Sequence, residues 1–309
     1  MYVCKTSTHG GRLCSTMATS SKIATLMSDH ERYVTTFAEY SKRCRKYEVL
    51  DKWISLSFPE KIVNAIDVKE AEEFKMLGVG SGTGQVETSA LKQLLTKWPM
   101  INHTVVEPNS ELIAQFKDLA TREGNGLHGV SFNWHNLTVE QFRHETSDQS
   151  KKYNLIMAVQ ILYYVDNVEE VLKYLTSLLE DGGILFVIMV AENSCFSRIA
   201  QKFPQLESEI QHAISSRHIE QMLTANQNEF KTYEIETKID STGCLDGDSE
   251  QGDHLIDFIT QVAYLKKQAS ESLYNEIIEF IKSDNVSLPK TDDGRSWIRC
   301  NYDAIFVKN

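Results

Sequence analysis

Four closely spaced glycines between two periodic segments are the first feature of this chain that could do chemistry. Residues 75–79 predict a short buried strand, and residues 85–98 carry apolar side chains at helical spacing. Between them lies Gly78-Val-Gly80-Ser-Gly82-Thr-Gly84. Glycine has no Cβ, so the backbone can turn tightly there and a ligand can approach it closely. A strand, a glycine turn and a helix N-terminus together predict a cradle of free backbone N–H groups.

The spacing of these glycines excludes two phosphate-binding patterns. The dinucleotide fingerprint G-x-G-x-x-G would need a glycine at position 83 or 85, where the chain has Thr83 and Gln85. The phosphate-loop pattern would need Gly-Lys-Ser/Thr to close the turn, and the turn lacks it. A G-x-G-x-G pattern remains, which on its own could also be a connection that binds nothing.

An acidic residue follows the next predicted strand. Residues 104–107 read Thr-Val-Val-Glu, which predicts a strand that ends in the carboxylate of Glu107. A carboxylate at this place after a glycine turn can accept hydrogen bonds from both hydroxyls of a ribose. The alternative interpretation of Glu107 is an exposed loop carboxylate.

The order of the elements resembles the class I methyltransferases, which bind S-adenosylmethionine (AdoMet). Residues 75–190 alternate strand and helix, which predicts an α/β fold with a mainly parallel, Rossmann-like sheet. The glycine turn resembles the AdoMet loop of that class. The run Leu178-Leu179-x-x-Gly182-Gly183-x-Leu185 resembles a second class I segment, with Asp181 in place of the usual proline. Ligands of such sheets bind at the carboxyl ends of the strands, so the motifs are expected around one crevice.

Composition and charge limit the other possibilities. The chain has 309 residues, of which 41% are hydrophobic and 24% charged, and its net charge is −11. An acidic protein of this kind is a poor candidate for nucleic-acid binding, which needs a basic stripe. The six cysteines are scattered, with no C-x-x-C and no histidine at metal-binding spacing. We therefore expect reduced thiols, no metal site and a cytoplasmic location.

The remainder of the chain predicts one domain with a helical N-terminal part. Residues 1–20 are expected to be a disordered extension, and residues 21–309 a single methyltransferase domain. Within it, residues 21–70 predict a helical lid, 71–190 the cofactor-binding core and 191–309 an α/β substrate-binding part. The predicted helix over residues 29–46 carries Tyr33, Phe37 and Tyr40 on one face, and a second helix is predicted over residues 47–66. Such an aromatic stripe is usually core, but it can also line a pocket beneath a lid.

From Ser28 onward the chain resembles the histamine N-methyltransferase family more closely than class I enzymes in general. The resemblance implies AdoMet as methyl donor, a small imidazole as acceptor and a monomer. The motifs that carry it are Ser28-Asp29-His30-x-x-Tyr33-Val34, Gly80-x-Gly82-x-Gly84, Val105-Val106-Glu107-Pro108, Phe132-x-Trp134-His135, Gln160-x-Leu162-Tyr163-Tyr164-Val165, Asp246-Gly247, Gly252-Asp253-x-Leu255 and Asp257-Phe258.

The resemblance also assigns roles to individual positions. It implies that the cofactor is held by Gly80, Gly82, Gly84 and Glu107, with Thr138 on the adenine side and Val159 packed on the cofactor. It implies that Gln160 and Asn301 contact the acceptor imidazole, although Gln160 could be a strand-end polar residue and Asn301 a turn residue. The implied aromatic wall consists of Tyr33, Phe37, Tyr163, Tyr164 and Phe196, of which Tyr33, Phe37 and Phe196 could equally be core.

Three departures from the family pattern bear on the substrate. Leu112 replaces a cofactor-binding glutamine, and Ala200 replaces a tryptophan of the substrate wall, which suggests a roomier pocket. Lys46 stands where the family has a glutamate that pairs with the amine of histamine. A lysine would repel that amine, whereas the basic run Lys42-Arg43-Cys44-Arg45-Lys46 suits a carboxylate.

An imidazole that bears a carboxylate suggests carnosine, or a related histidine dipeptide, as the preferred acceptor. The alternative is that the basic run is a solvated helix face and that histamine is the acceptor. A non-catalytic AdoMet-binding protein is a third possibility, disfavoured because the cofactor and acceptor positions survive together. The acidic composition weighs against a protein or nucleic-acid substrate.

Overall fold

A seven-stranded sheet organises the molecule. The computed structural model describes residues 23–67, 73–145, 151–206, 214–246 and 249–309, so the predicted extension over residues 1–20 lies outside the described part. The strands are β1 (Phe74–Val79), β2 (Ile101–Val106), β3 (Val130–His135), β4 (Tyr153–Val159), β5 (Leu179–Val190), β6 (Glu229–Ile235), β7 (Lys238–Asp240), β8 (Ser287–Leu288), β9 (Trp297–Arg299) and β10 (Tyr302–Lys308).

The strand order confirms the predicted α/β architecture. The large sheet has the order β3-β2-β1-β4-β5-β10-β6, and β7, β9 and β8 form a small second sheet. The first five strands are parallel to one another, and β10 is antiparallel to both β5 and β6. The strand order reverses between β1 and β4, so the carboxyl ends of these two strands flank the crevice where such sheets bind ligands. The last strand, β10, thus returns to the large sheet between β5 and β6.

Helices cover both faces of the sheet and enclose two hydrophobic cores, one on each face. They are α1 (His30–Cys44), α2 (Lys46–Phe58), α3 (Gln85–Leu94), α4 (Ser110–Glu123), α5 (Val139–Glu145), α6 (Val168–Ser177), α7 (Cys195–Lys202), α8 (Ser216–Ala225), α9 (Glu250–Thr260), α10 (Leu265–Gln268) and α11 (Glu271–Lys282). No helix in the described ranges is long and apolar enough to cross a membrane. The described ranges contain four cysteines, at positions 44, 195, 244 and 300, and all four are free thiols.

The structure corrects two predicted helices in the N-terminal part. The helix predicted over residues 29–46 ends at Cys44, because Arg45 adopts a left-handed conformation with φ of 50°. A new helix, α2, begins at Lys46 and ends at Phe58, and one π-helical turn over Pro59–Val63 follows it. The chain therefore changes direction immediately before Lys46, which alters where that side chain points.

The two N-terminal helices connect different parts of the molecule. Helix α2 packs on α3, and α1 packs on α9 in the C-terminal part. A buried ion pair holds the second contact, because Arg32 lies 2.5 Å from Asp257 and the two side chains are 12% and 2% exposed. Asp257 also accepts hydrogen bonds from the backbone N–H groups of Tyr264 and Leu265. Burial raises the pKa of Asp257, and the Arg32 guanidinium partly offsets that shift.

Candidate active site

The glycine turn lies at the carboxyl end of β1, as predicted. Gly80, Gly82 and Gly84 all have positive φ, between 56° and 74°. A Cβ added at Gly84 would overlap the ring of Phe116, whereas a Cβ added at Gly82 would meet no atom within 4 Å. The turn is therefore packed against protein at Gly84 and open at Gly82. An open backbone turn at the N-terminus of a helix fits a ligand that needs close approach.

Glu107 lies directly beside this turn. Its carboxylate is buried, and it accepts hydrogen bonds from the backbone N–H of Gly82 at 2.9 Å and of Asn109 at 2.9 Å. Each carboxylate oxygen has a further lone pair that can accept a hydrogen bond from a ribose hydroxyl. Glu107 can thus hold the glycine turn and bind a nucleoside at the same time, which fits AdoMet.

The contrast between Gly82 and Gly84 gives a testable prediction for the cofactor site. We expect Gly84→Ala to destabilise the fold by about 2–4 kcal/mol, because it combines overlap with Phe116 and left-handed strain. Gly82→Ala adds only the left-handed backbone strain, which costs about 1 kcal/mol of stability, but its methyl group would project into the cradle. We therefore expect Gly82→Ala to fold and to bind AdoMet at least tenfold more weakly, as measured by calorimetry. Unchanged affinity in a folded Gly82→Ala protein would mean that the cofactor does not contact this turn.

The other two predicted cofactor positions lie at the carboxyl end of β4 and just after β3. Val159 is the last residue of β4 and packs against the first core. Thr138 precedes α5, and its N–H donates to the side chain of Gln141 at 2.9 Å while its hydroxyl accepts from the N–H of Gln141. Its side chain therefore serves as a helix cap in the protein alone. Leu112 lies in the first turn of α4 and has no polar group to offer a cofactor.

Gln160 and Lys46 meet at the carboxyl end of β4. The Lys46 ammonium donates a hydrogen bond to the side-chain oxygen of Gln160. Gln160 is one of the few non-glycine residues with positive φ, here 55°, which is a strained conformation typical of functional positions. Burial lowers the pKa of Lys46. In the described ranges, no carboxylate forms an ion pair with Lys46, although its ammonium lies 5.6 Å from the centre of the Tyr47 ring.

The other members of the basic run face away from Gln160. Arg43 pairs with Glu39 and donates to the backbone oxygen of Asp240. Arg45 pairs with Glu48 at the surface, and Lys42 is exposed. The run is therefore not a single basic cluster. Among its members, Lys46 alone contacts a residue that is predicted to bind the methyl acceptor.

Asn301 lies at the same edge of the sheet, immediately before β10. It is buried, its side-chain oxygen accepts a hydrogen bond from the N–H of Thr237 at 3.1 Å, and its backbone oxygen accepts one from the N–H of Ala191. Within the described part of the chain, the amide nitrogen of Asn301 has no hydrogen-bond partner. Asn301 is therefore fixed through its oxygen and retains a donor that a ligand could use.

Aromatic rings from three helices form a continuous wall. Tyr33 and Phe37 of α1 stack with ring centres 6.0 Å apart, and Tyr40 stacks on Phe258 of α9 at 4.4 Å. Phe196 of α7 meets Tyr40 edge-on at 5.8 Å. Tyr164 is linked to this wall through a hydrogen bond with Tyr33, which partly offsets the rise in the pKa of Tyr33 caused by burial.

Tyr163 packs mainly outside the wall and meets it through Tyr164. It is buried in the second core, and its hydroxyl accepts a hydrogen bond from the N–H of Val190 at 2.6 Å. Its contact with Tyr164 is edge-on at 6.1 Å. Tyr163 is thus placed to support the end of β5. By contrast, Ala200 lies one helical turn after Phe196 on α7, on the same helix face, where a small side chain leaves room.

Several residues of the site were not predicted as such. Tyr40 lies on the aromatic face of the first predicted helix and Phe258 in the Asp257-Phe258 motif, but the sequence assigns neither to the site. Tyr302 and Cys300 lie beneath Lys46 and have no local sequence signal. A buried pair between α3 and β2, Glu87 and His103 joined at 2.7 Å, likewise has no sequence signal. A Cβ on Gly78 would overlap the carboxylate of Glu87, which explains why position 78 of β1 is glycine.

Comparisons with known proteins agree with this geometry. Residues 40–232 match the family model described as a methyltransferase domain. Histamine N-methyltransferase B of Xenopus laevis is 30% identical over 294 residues, which are 93% of this chain and 99% of the relative. The histamine N-methyltransferase of Rattus norvegicus is 26% identical over 296 residues, 94% of this chain and 99% of the relative.

A solved structure supports the fold alone. The crystal structure of a cyclopropane-fatty-acyl-phospholipid synthase-like protein from Lactobacillus casei aligns with a TM-score of 0.50 and 11% identity, over 84% of this chain and 92% of that one. The family match and the full-length relatives go further than the fold. The chain belongs to the histamine N-methyltransferase family, and it is an AdoMet-dependent methyltransferase.

Proposed function

We propose that this enzyme methylates an imidazole nitrogen of a small acceptor that carries a carboxylate, and that carnosine is its preferred acceptor. The observation that supports this proposal is the environment of Lys46. Its ammonium is partly buried beside Gln160, and the described residues supply no carboxylate to pair with it. A desolvated cation without a counter-ion is unfavourable. The carboxylate of the acceptor would provide that counter-ion.

Histamine is the alternative acceptor, since it appears in the names of the relatives. Its alkylammonium would approach the ammonium of Lys46, and two like charges in a partly buried site repel each other. The small side chain of Ala200 favours an acceptor larger than histamine. We also keep the predictions of a monomer and of a cytoplasmic location.

In the proposed reaction the protein mainly binds, orients and excludes water. Bound AdoMet supplies an electrophilic methyl group on a sulfonium, which the lone pair of a neutral imidazole nitrogen can displace. Neutral imidazole is available near pH 7, so no strong base is required. Gln160 and Asn301 would hold the ring by hydrogen bonds. The positive charge of Lys46 would disfavour imidazolium, and the aromatic wall would keep water from the reacting atoms.

The experiment that tests the proposal is methyl transfer from labelled AdoMet to carnosine and to histamine, measured side by side with the purified enzyme. We expect kcat/KM for carnosine to be at least about 30-fold higher, which corresponds to roughly 2 kcal/mol of discrimination. A preference for histamine would mean that Lys46 does not bind the acceptor. Transfer to neither would direct the search to other imidazoles.

The pH dependence of the reaction should report the loss of the proton from the Lys46 ammonium. Carboxylate binding needs the ammonium, and burial lowers the pKa of Lys46 below the ordinary 10.5. We therefore expect kcat/KM for carnosine to rise as the imidazole loses its proton and to fall again at a pH below 10.5. Lys46→Arg should move the alkaline fall out of the measurable range, because a guanidinium stays charged. An unchanged alkaline fall in that variant would assign it to another group.

Asn301 should affect turnover more than cofactor binding. In Asn301→Ala we expect kcat to fall about 10- to 100-fold, which corresponds to roughly 1.4–2.8 kcal/mol of lost interaction, with AdoMet affinity unchanged. The variant also leaves the N–H of Thr237 without its acceptor, so the melting temperature should fall. Asn301→Asp keeps an oxygen for Thr237 and should restore stability without restoring turnover. Unchanged turnover in both variants would remove Asn301 from the acceptor site.

A further inference from the structure

Tyr302 lies directly beneath the two residues that contact the acceptor in the proposed function. It is the first residue of β10 and only 2% exposed. Its ring centre is 5.8 Å from the ammonium of Lys46, and its hydroxyl lies 2.5 Å from that of Tyr40. The side chain of Gln160 lies beside the Tyr302 hydroxyl, and this polar neighbour partly offsets the rise in the pKa of Tyr302 caused by burial. Tyr302 is therefore a neutral phenol in contact with both acceptor-binding side chains.

The contact with Lys46 identifies which end of the Gln160 amide is the oxygen. An ammonium can only donate, so the atom of Gln160 that meets Lys46 must be the oxygen. The amide nitrogen then points elsewhere. It is buried, and no described residue accepts a well-formed hydrogen bond from it in the protein alone. The Tyr302 hydroxyl is the polar group beside it, and a phenol oxygen can accept from an amide N–H while its own proton is donated onward.

The onward partners form a small hydrogen-bonded network around Tyr302, whose hydroxyl also lies 3.8 Å from the thiol of Cys300. The Tyr302 hydroxyl can donate to that of Tyr40, and Tyr40 in turn lies 3.4 Å from the sulfur of Cys300. Burial raises the pKa of both tyrosines, so both hydroxyls keep their protons. Because Lys46 fixes one end as a donor, the network has a preferred orientation. Ordered networks of this kind hold a side chain more firmly than a single bond does.

We propose that Tyr302 is a positioning residue that holds the Gln160 amide in one orientation and thereby determines which ring nitrogen of the acceptor is methylated. This inference rests on the proposed function. The amide orientation matters because the two nitrogens of neutral imidazole differ, one being a donor and the other an acceptor. An amide that presents its N–H to the ring selects one tautomer and placement, and an amide that presents its oxygen selects the other.

The test is the ratio of the two N-methyl isomers formed from carnosine. It compares the wild type with Tyr302→Phe, which keeps the ring under Lys46 and removes only the hydroxyl. We expect the wild type to form one isomer predominantly and Tyr302→Phe to lower that preference at least about tenfold, while the KM for AdoMet stays within about twofold. Tyr40→Phe removes the next hydroxyl of the network and should change the ratio less. A merely structural role would lower stability or rate without altering the isomer ratio.

A matched control is Tyr153→Phe. Tyr153 is also a buried tyrosine, but it begins β4 and therefore lies at the opposite edge of the sheet. Its variant should form the isomers in the wild-type ratio. An unchanged ratio in Tyr302→Phe, in an enzyme that methylates carnosine, would overturn the role of Tyr302 and leave the proposed function intact. A wild-type enzyme that methylates no imidazole would overturn both.

Discussion

Lys46→Glu is expected to reverse the acceptor preference of the enzyme. With carnosine, kcat/KM should fall at least about 100-fold, because an attraction between opposite charges becomes a repulsion in a partly buried site, a change of roughly 3 kcal/mol or more. With histamine, kcat/KM should rise, because a carboxylate beside Gln160 can pair with the alkylammonium. The measurement is steady-state methyl transfer to each acceptor with saturating AdoMet.

Lys42→Glu is the matched control for this change. Lys42 belongs to the same basic run and the variant alters the net charge equally, but Lys42 is exposed on α1. Its exposed charge is screened by salt, so both acceptors should be methylated at close to wild-type rates. Equal effects of the two variants would mean that the basic run acts through its general field. No effect of Lys46→Glu would mean that the ammonium does not face the acceptor.

Glu107→Ala is expected to weaken AdoMet binding more than any other substitution considered. The carboxylate holds the Gly82 turn by one hydrogen bond and Asn109 by another, so the alanine leaves two backbone N–H groups unpaired. It also removes both acceptors proposed for the ribose. Charge-assisted hydrogen bonds contribute about 1.5–3 kcal/mol each, so AdoMet affinity should fall at least about 100-fold. Calorimetric titration with AdoMet measures this directly.

A nearby acid provides the control for Glu107. Glu111 is exposed in the first turn of α4, and Glu111→Ala should leave AdoMet binding within about twofold of wild type, since surface charges contribute little. Glu107→Gln should lie between the two, because the amide keeps one acceptor but brings an N–H group against a backbone N–H. AdoMet affinity that survives Glu107→Ala would assign the ribose to other residues.

The geometry of the candidate cofactor site could be predicted from the sequence because its signals are local. A glycine turn between a strand and a helix, with an acid after the next strand, fixes the relative positions of Gly82 and Glu107 through the βαβ geometry alone. The structure joins these two residues by a hydrogen bond. The alternating elements similarly predicted the parallel sheet, and the return of the last strand brought Asn301 to its edge.

The acceptor half was only partly predictable, for two physical reasons. The direction of Lys46 depends on Arg45, whose left-handed conformation ends α1 and starts α2. If one helix continued through Arg45, as the sequence predicts, the side chain of Lys46 would point in a different direction. The contact of Tyr40 with Tyr302 joins residues 262 positions apart, and no local pattern marks such a pair. Tyr163, assigned to the aromatic wall by resemblance, packs instead in the core on the other face of the sheet.

The most direct test of the proposed function is the coupling between Lys46 and the carboxylate of the acceptor. Wild type and Lys46→Met are each assayed with carnosine and with β-alanylhistamine, which is carnosine without its carboxylate. If the two groups interact, the loss in kcat/KM for carnosine on removing the ammonium should exceed the loss for β-alanylhistamine by about 30-fold or more, a coupling of roughly 2 kcal/mol. Equal losses with the two acceptors would contradict the proposal that Lys46 binds the acceptor carboxylate.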